Sequence, residues 1–347
     1  MSSDMYRTDF REGKQEVAIV SKRGGSLGVC ATFNDKYICC NVHVLRSVHN
    51  CPFECSYCFL QNYLTDGATR TVDDLDELMR EVRSLTERQP WRLFRIGTWE
   101  LGDSLALENV SAQAAGLIEE FSDIDNAVLE LKTKSDSVDT ILDADHSGRT
   151  VISWSLNASK VIDEEEHRTA SLNRRLEAMK KVFHSGYLIG LHFDPMVLHD
   201  GWMDGYSELM YKVFRGISPE RIAWISIGSL RFNPEMKKKM ENNYPDSKLT
   251  SEEMVLGDDA KVRYVKPLRV MMYDHLLREL KKYIDNKILV YLCMERWDMW
   301  DKVLGYRPAS SSHLDHMFAM SLYQRFRLGA FPPAIEDYER EKDITAV

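Results

Sequence analysis

The sequence predicts an α/β fold in which a parallel sheet curls into a barrel or a partial barrel. Short apolar or β-branched runs alternate with amphipathic stretches from about residue 36 onward, which is the pattern of successive strand–helix units. No internal repeat and no low-complexity tract interrupts this alternation. Seven apolar runs suit a barrel or a partial barrel, with the amphipathic stretches as its outer helical layer.

The predicted strands are short and rich in aliphatic residues, as expected for strands that are buried on both faces. In chain order they are 37–44, 93–97, 127–132, 150–156, 188–193, 223–227 and 288–292. An apolar stripe with the period of a helix marks the intervening segments. The predicted helices are 72–87, 107–121, 137–144, 170–185, 203–214, 234–242 and 268–284.

Three regions flank or interrupt the predicted barrel, which we place at residues 36–294. Residues 1–35 contain several glycines and no long period, which indicates an N-terminal extension packed on the barrel. Residues 244–267 show no clear period, so we predict a loop that covers the cleft or contacts substrate. Residues 295–347 alternate aromatic and charged residues, which predicts a C-terminal helical segment followed by a polar tail.

Composition predicts a globular protein, with 44% hydrophobic and 29% charged residues. The net charge of -9 argues against a generally basic surface for nucleic acid, although a local basic groove is compatible with it. No long uninterrupted apolar stretch is present, so neither a signal peptide nor a membrane span is predicted. We therefore expect a cytoplasmic protein with no membrane partner.

Three of the seven cysteines, Cys51, Cys55 and Cys58, fall within eight residues directly after the first predicted strand. An odd number of cysteines crowded into one region does not resemble an extracellular disulfide framework. A loop with cysteines at this spacing can wrap around one small metal centre, as such loops do in iron–sulfur proteins. A structural zinc ion with His43 or His49 as the fourth ligand is the alternative.

The spacing Cys51-x3-Cys55-x2-Cys58, with Tyr57 before the last cysteine, resembles the signature of the radical S-adenosylmethionine enzymes. That resemblance implies a partial (βα)6 TIM-like barrel and a 4Fe-4S cluster with one iron left open for S-adenosylmethionine. Reductive cleavage of this cofactor would give a 5'-deoxyadenosyl radical that abstracts hydrogen from a substrate. The electron would come from a carrier such as flavodoxin or ferredoxin.

The same resemblance implies that cofactor ligands lie at the ends of consecutive strands, where parallel barrels place their ligand contacts. The segment after the second strand would recognise the cofactor amino group through Glu100, and Lys134 would meet its carboxylate. An ordinary strand–helix turn and a core histidine at 192 are the alternatives. The predicted cofactor-binding residues are Gly97, Thr98, Glu100, Lys134, Ser155, Asn157 and His192.

Several segments narrow the resemblance to spore photoproduct lyase, an enzyme that repairs a thymine dimer in spore DNA, and to lyase-like proteins of non-sporulating bacteria. They include 55–61, 199–206 and 243–249, and the similarity runs from about residue 42 to about residue 284. The implied substrate is a pyrimidine base in DNA or a nucleotide, for repair or modification. Radical chemistry on a peptide or a small metabolite, and a zinc-stabilised binding protein, are the alternatives.

Two departures from the lyase concern the return of a hydrogen atom to the product radical. Residues 99–102 lack the lyase's donor cysteine, and Phe59 stands where the lyase has a tyrosine of the same relay. Because Phe has no O–H group and the donor cysteine is missing, we expect the protein not to repair spore photoproduct efficiently. Tyr57 is retained, and Cys293 ends the last strand at the barrel mouth, so both are candidate catalytic residues, with structural burial as the alternative for Cys293.

The segment 258–266 resembles the loop that contacts the damaged bases in the lyase. Arg suits a phosphate contact and Tyr suits base stacking. Lys261, Arg263 and Tyr264 are therefore the predicted substrate-binding residues, with a solvated basic loop as the alternative.

Overall fold

The computed structural model describes residues 13–14, 16–20, 25–30, 34, 36–64, 67–72 and 74–340. Most of the predicted N-terminal extension and the end of the predicted polar tail lie outside these residues. Among the helices within the described ranges, none is long and apolar enough to cross a bilayer.

Eighteen strands are described, and several of them are only two residues long. They are β1 Val17–Val20, β2 Leu27–Cys30, β3 Tyr37–Ile38, β4 Val42–Leu45, β5 Val48–His49, β6 Glu54–Cys55, β7 Thr69–Val72, β8 Phe94–Gly97, β9 Ala127–Thr133, β10 Thr150–Ser155, β11 Glu166–His167, β12 Leu188–Met196, β13 Ile222–Ser229, β14 Arg231–Phe232, β15 Met254–Leu256, β16 Val262–Tyr264, β17 Leu289–Leu292 and β18 Glu295–Arg296.

The helices within the described ranges surround the sheet and fill its connections. They are α1 Leu60–Tyr63, α2 Leu75–Arg88, α3 Glu108–Ser111, α4 Gln113–Ser122, α5 Ser159–Glu165, α6 Leu172–His184, α7 Trp202–Gly216, α8 Pro234–Asn243, α9 Lys266–Leu280, α10 Trp297–Val303, α11 Ser311–Phe326 and α12 Ile335–Arg340.

The central sheet has eight strands in the order β17-β13-β12-β10-β9-β8-β4-β2. From β4 to β17 the strands follow chain order and every neighbouring pair is parallel, whereas β2 adds to β4 as an antiparallel edge. This order confirms the predicted α/β partial barrel. Since parallel strands end at the same edge of a sheet, the loops that follow them meet at one mouth.

Burial explains why the central strands could be predicted from apolar runs. Every residue of β10 and of β13 is buried, and Trp154 and Trp224 are among the largest side chains fully enclosed. Helices α4, α6 and α9 cover the sheet with their apolar faces. The core is continuous from Ile38 in β3 to Tyr338 in the last described helix, α12.

Three predicted elements differ from the structure, and one helix was not predicted. The strand predicted at 37–44 is divided into β3 and β4, because Asn41 adopts a left-handed conformation with φ 47°. Ala112, also at φ 47°, separates α3 from α4 within the helix predicted at 107–121. The helix predicted at 137–144 is a single 3-10 turn at Asp139–Ile141, and α5 was not predicted.

The prediction of a structureless loop at 244–267 is wrong for its second half. Strands β14, β16 and β15 form a small antiparallel sheet there, with Arg231 opposite Arg263. Strands of two or three residues are too short for an alternating pattern to be recognised in the sequence. The segment 244–253 remains irregular and lies against α5 and the loop after β12.

We predict that Gly190→Ala destabilises the barrel. A Cβ atom at Gly190 would lie 2.1 Å from Ser153 Oγ and 3.0 Å from Trp224 Nε1, inside the packed sheet. Overpacking of this kind costs about 1–3 kcal/mol in the free energy of unfolding. Urea denaturation of the two proteins gives this difference directly.

Gly116→Ala is the matched control. Gly116 lies within helix α4, and a Cβ atom there meets only the flexible end of Leu75 at 3.0 Å. Because Ala favours a helix over Gly, stability should stay within about 1 kcal/mol of the wild type. Equal stability of both variants would contradict the packing described for Gly190.

Candidate active site

The three closely spaced cysteines lie on a loop between β5 and α1 at the mouth of the barrel. Cys55 is in β6, which pairs antiparallel with β11 so that Cys55 lies opposite Glu166. The backbone N–H of Cys58 donates to the carbonyl of Cys55 at 3.0 Å, which closes a tight turn. Strand pairing with a distant segment thus fixes this loop against the end of β10.

The thiols in this loop are poorly solvated. Cys51 and Cys55 are buried, and Cys58 is partly exposed. Burial raises the pKa of Cys55 to about 12, and Lys134 acts against this rise. Burial also raises the pKa of Cys51, with Lys14 acting against it. Thiolates at this place therefore require more positive charge than the two lysines supply, as a bound metal centre would provide.

A small apolar cluster, separate from the main core, surrounds the cysteine loop. It consists of Cys51, Leu60 and Leu64, with Phe53, Cys58 and Leu101 packed against them. An apolar shell of this kind limits the access of water and lowers the local dielectric around a metal centre. The donor set and its surroundings fit a thiolate-bound cluster.

His43, one of the two histidines considered as a zinc ligand, is buried in the fold. His43 packs edge-on against Phe94 with ring centroids 5.2 Å apart, and burial lowers its pKa to about 3. In the described part of the chain, no three His, Cys, Asp or Glu side chains converge closely enough to hold a single metal ion. A four-iron cluster bonds each thiolate to a different iron, so its ligands need not meet at one point.

A buried ion pair beside the loop ties it to the sheet. The Arg175 guanidinium lies 2.6 Å from the Glu166 carboxylate, and both side chains are almost completely buried. The Tyr57 hydroxyl donates to Glu166, and Arg175 Nη1 donates to the carbonyl of Ser155 at 2.9 Å. The Lys134 ammonium lies 5.7 Å from the Tyr57 ring centroid. Tyr57, Lys134 and Ser155, all predicted site residues, are therefore brought together.

A second buried network fills the barrel below the mouth, centred on Glu130. Its carboxylate lies 3.0 Å from Arg95 Nε, 3.2 Å from Trp99 Nε1, 2.8 Å from Ser153 Oγ and 2.8 Å from His192 Nε2. Burial lowers the pKa of His192 to about 4, so its ring is neutral at pH 7. The structure places His192 in the barrel interior as a hydrogen-bonded core histidine, which was the alternative to cofactor binding.

The segment after β8 enters the mouth. Gly97 is required there because a Cβ atom would lie 2.4 Å from Trp99 Nε1. Thr98 is buried, and Glu100 is half-buried, with burial raising its pKa and Arg46 acting against the rise. Because Glu100 is only half-buried, its carboxylate is partly available to a ligand.

Asn157 is bound within the protein. Its Nδ2 donates to the carbonyl of Pro195 at 2.9 Å, and its Oδ1 accepts from the Tyr206 hydroxyl at 2.6 Å. Both side-chain groups are therefore committed to contacts with the end of β12 and with helix α7. Ser155 is buried at the end of β10, and its carbonyl is held by Arg175.

Cys293 lies across the mouth from the cysteine loop, with charged side chains of three elements around it. Arg231 Nη2 contacts Cys293 Sγ at 3.4 Å, and Arg231 Nη1 pairs with Asp194 Oδ1 at 2.8 Å. The half-buried Lys261 contacts Met294 Sδ at 3.7 Å. The structure thus brings two predicted residues, Cys293 and Lys261, to the same side of the mouth.

Arg263 and Tyr264 are turned inward. Arg263 pairs with Asp259 at 2.6 Å and donates to the Tyr37 hydroxyl at 2.6 Å, and it is only 2% exposed. The Tyr264 hydroxyl accepts from the backbone N–H of Leu198 at 3.1 Å. These contacts commit both side chains to holding the small sheet, and the structure does not bring them to a surface where phosphate or bases could bind.

A cavity of about 820 Å³ adjoins the cysteine loop between α5, the loop after β12 and residues 243–252. Glu165 forms its inner wall, accepting from Ser247 Oγ at 2.8 Å and from Ser56 Oγ. His167 stacks on Tyr244 with ring centroids 5.5 Å apart. Sequence reasoning identified the segment but not this contact with the cysteine loop.

Comparison with known proteins decides the family. The family model described as spore photoproduct lyase matches residues 36–296, which is most of the chain. The chain belongs to the spore photoproduct lyase family. The matched region contains the cysteine loop, the complete parallel sheet from β4 to β17 and the small sheet of β14 to β16.

Curated members of the family are similar along most of their length. Spore photoproduct lyase of Bacillus subtilis (strain 168) is 31% identical over 248 residues, covering 68% of this chain and 70% of the relative. The enzyme of Clostridium acetobutylicum is 24% identical over 288 residues, covering 81% of each chain. A solved spore photoproduct lyase double mutant with bound AdoMet and dinucleoside spore photoproduct is 24% identical, with a TM-score of 0.72 over 82% of this chain and 84% of that one.

Membership of the spore photoproduct lyase family confirms three predictions from the sequence. The chain is a lyase-type radical S-adenosylmethionine enzyme, its cofactors are a 4Fe-4S cluster and S-adenosylmethionine, and its fold is the half-barrel of that family. The roles of individual side chains remain predictions.

We predict that Arg175→Met destabilises the protein and weakens its hold on the cysteine loop. Removing the guanidinium leaves the Glu166 carboxylate buried without its main partner, which costs about 3–5 kcal/mol of stability. The amount of iron retained per chain after anaerobic reconstitution and gel filtration should fall as stability falls. Urea denaturation and iron analysis measure the two effects.

Arg174→Met is the control, because Arg174 is exposed and pairs with Asp136 at the surface. Its effect should stay within about 0.5 kcal/mol. If Arg175→Met fails to fold, the double variant Arg175→Met with Glu166→Gln, which removes both charges, should recover soluble protein. Wild-type stability and iron content in Arg175→Met would contradict the proposed role of the pair.

Proposed function

We propose that Cys51, Cys55 and Cys58 hold the 4Fe-4S cluster of a radical S-adenosylmethionine enzyme that acts on a pyrimidine base in DNA or a nucleotide. The observation that carries this proposal is the loop of three thiols, pinned by strand pairing inside an apolar shell with Lys134 beside it. The reaction would serve repair or modification of the base.

The loop and the strand ends have separate tasks in this proposal. When bound and reduced, the cluster supplies the electron that cleaves S-adenosylmethionine to a 5'-deoxyadenosyl radical. In this proposal Lys134 would pair with the cofactor carboxylate, and Glu100 would accept from its ammonium group. The space left by the missing side chain of Gly97 is filled by the Trp99 indole, so Gly97 seats Trp99 at the mouth. The apolar shell keeps water away from the cluster and the cofactor.

A nucleotide substrate is supported by the family and by charge at the mouth. Solved relatives are described as complexes with dinucleoside spore photoproduct. Lys261 is a half-buried cation near Arg231, and its ammonium contacts the thioether sulfur of Met294, which is a weak acceptor. A phosphate group would be a better partner for this ammonium.

The proposal also includes an electron donor and a cytoplasmic location. A low-potential one-electron carrier such as flavodoxin or ferredoxin is the reductant that the chemistry requires. All seven cysteines are free, which is compatible with the reducing cytoplasm.

A peptide or small-metabolite substrate is the second candidate, favoured by the net charge of -9 and by the inward position of Arg263. The two candidates differ in their response to salt. Binding to an oligonucleotide releases counterions and weakens steeply as salt rises, whereas binding of a small neutral molecule does not.

We predict that Cys58→Ser abolishes the brown thiolate-to-iron absorption band after anaerobic reconstitution and the formation of 5'-deoxyadenosine. Cys30→Ser should retain the absorption band, since Cys30 ends strand β2 outside the cysteine loop. Absorption spectra, iron and sulfide analysis, and chromatography of the nucleoside product measure these quantities. Bound zinc without iron or sulfide in the wild type would contradict the proposed cofactor.

We predict that the wild type binds single-stranded oligonucleotides with salt dependence, and that Lys261→Gln lowers the slope of log K against log salt by about 0.7. Lys282→Gln, at an exposed lysine paired with Glu279, should leave the slope unchanged. Fluorescence anisotropy at several salt concentrations gives the slopes. Equal slopes for the wild type and Lys261→Gln would remove Lys261 from the substrate site.

A further inference from the structure

Four cysteines outside the cysteine loop gather where the two ends of the sheet approach each other. Cys30 ends β2, Cys39 and Cys40 follow β3, and Cys293 follows β17. Strand β3 pairs with β18, so that Ile38 lies opposite Glu295. This pairing brings residues 39–40 beside residue 293, although more than two hundred and fifty residues separate them in the sequence. We call Cys39, Cys40 and Cys293 the seam thiols.

Specific contacts hold these thiols. Cys39 Sγ donates to the carbonyl of Cys30 at 3.3 Å, and Arg95 Nη2 contacts Cys40 Sγ at 3.7 Å. Arg231 Nη2 contacts Cys293 Sγ at 3.4 Å. Cys39 and Cys40 are buried, whereas Cys293 is partly exposed at the mouth. The group therefore extends from the barrel interior to the place where substrate would enter.

The seam thiols keep their protons at neutral pH. A contact with Cys30 and burial raise the pKa of Cys39 to about 11. Burial raises the pKa of Cys293, with further contributions from Asp194, Cys40 and Cys39, while Arg231 acts against the rise. Such groups are poor nucleophiles and poor metal ligands, since both roles need the thiolate. A protonated thiol can instead give up a hydrogen atom.

The reaction proposed above needs such a donor. After hydrogen abstraction, the substrate is left as a carbon radical that must receive a hydrogen atom to become a stable base. Residues 99–102 contain no cysteine, and Phe59 has no O–H group. Cys293 shares the mouth with Lys261, the proposed phosphate contact, through neighbouring Met294.

We propose that Cys293 is the hydrogen-atom donor to the substrate radical, with Cys40 and Cys39 behind it, an inference that rests on the proposed function. The S–H bond of Cys293 breaks homolytically and a C–H bond forms on the substrate, which leaves a thiyl radical. One electron from the one-electron carrier and one proton from solvent restore the thiol. An S–H bond is weaker than most C–H bonds, so the transfer to carbon is favourable.

The test uses reduced, cluster-loaded full-length protein with S-adenosylmethionine and dinucleoside spore photoproduct as the probe. In water, photoproduct that carries deuterium on carbon should deliver deuterium to 5'-deoxyadenosine, which tests the proposed function. In D2O with unlabelled photoproduct, exchange of the thiols should place deuterium in the thymine formed. Mass spectrometry of both nucleosides reads the two arms separately.

Cys293→Ser keeps the size of the side chain but replaces S–H by the much stronger O–H bond. We expect it to retain label transfer to 5'-deoxyadenosine while the yield of thymine falls at least about tenfold. Lys282→Gln, at an exposed lysine paired with Glu279, should leave the thymine yield unchanged.

The outcomes separate the two proposals. No label in 5'-deoxyadenosine from the wild type would contradict the proposed function, and the donor proposal with it. Label transfer together with wild-type thymine yield in Cys293→Ser, or absence of solvent deuterium from thymine, would overturn the donor proposal alone.

Discussion

The buried ion pair between Arg175 and Glu166 is the interaction on which the site depends. Through its backbone Glu166 pairs with Cys55, and through its carboxylate it holds Tyr57. Arg175 in turn binds the carbonyl of Ser155 at the end of β10. A buried charge that loses its partner is strongly destabilising, so neither side chain can move independently. The position of the cysteine loop relative to the strand ends therefore depends on this ion pair together with the pairing of β6 with β11.

Charge inside the barrel is balanced by pairing at each level. Below the mouth, Glu130 is neutralised by Arg95, and the neutral His192 completes its hydrogen bonds. At the mouth, Asp194 is paired with Arg231. The cysteine loop differs, because burial raises the pKa of its thiols although Lys134 and Arg175 near Cys55, and Lys14 near Cys51, act against the rise. This local deficit of positive charge is what a bound iron–sulfur cluster would fill.

The sequence predicted the sheet well because its strands are apolar runs buried on both faces, and it predicted the cofactor because three cysteines at one spacing are a local signal. Contacts between distant segments had no such signal. Nothing near Arg175 or Glu166 indicates that they meet, and a basic, aromatic stretch at Arg263 and Tyr264 looks the same whether it is solvated or folded inward. Left-handed Asn41 and Ala112 likewise broke elements that the periodicity made continuous.

The central claim is a four-iron cluster on three thiolates, with one iron available to S-adenosylmethionine. Mössbauer spectroscopy of protein reconstituted anaerobically with iron-57 tests it most directly, because each type of iron contributes its own doublet. We expect addition of S-adenosylmethionine to shift the doublet of a single iron of the cluster and to leave the others unchanged. A spectrum that the cofactor does not alter, or iron bound without sulfide, would contradict the account.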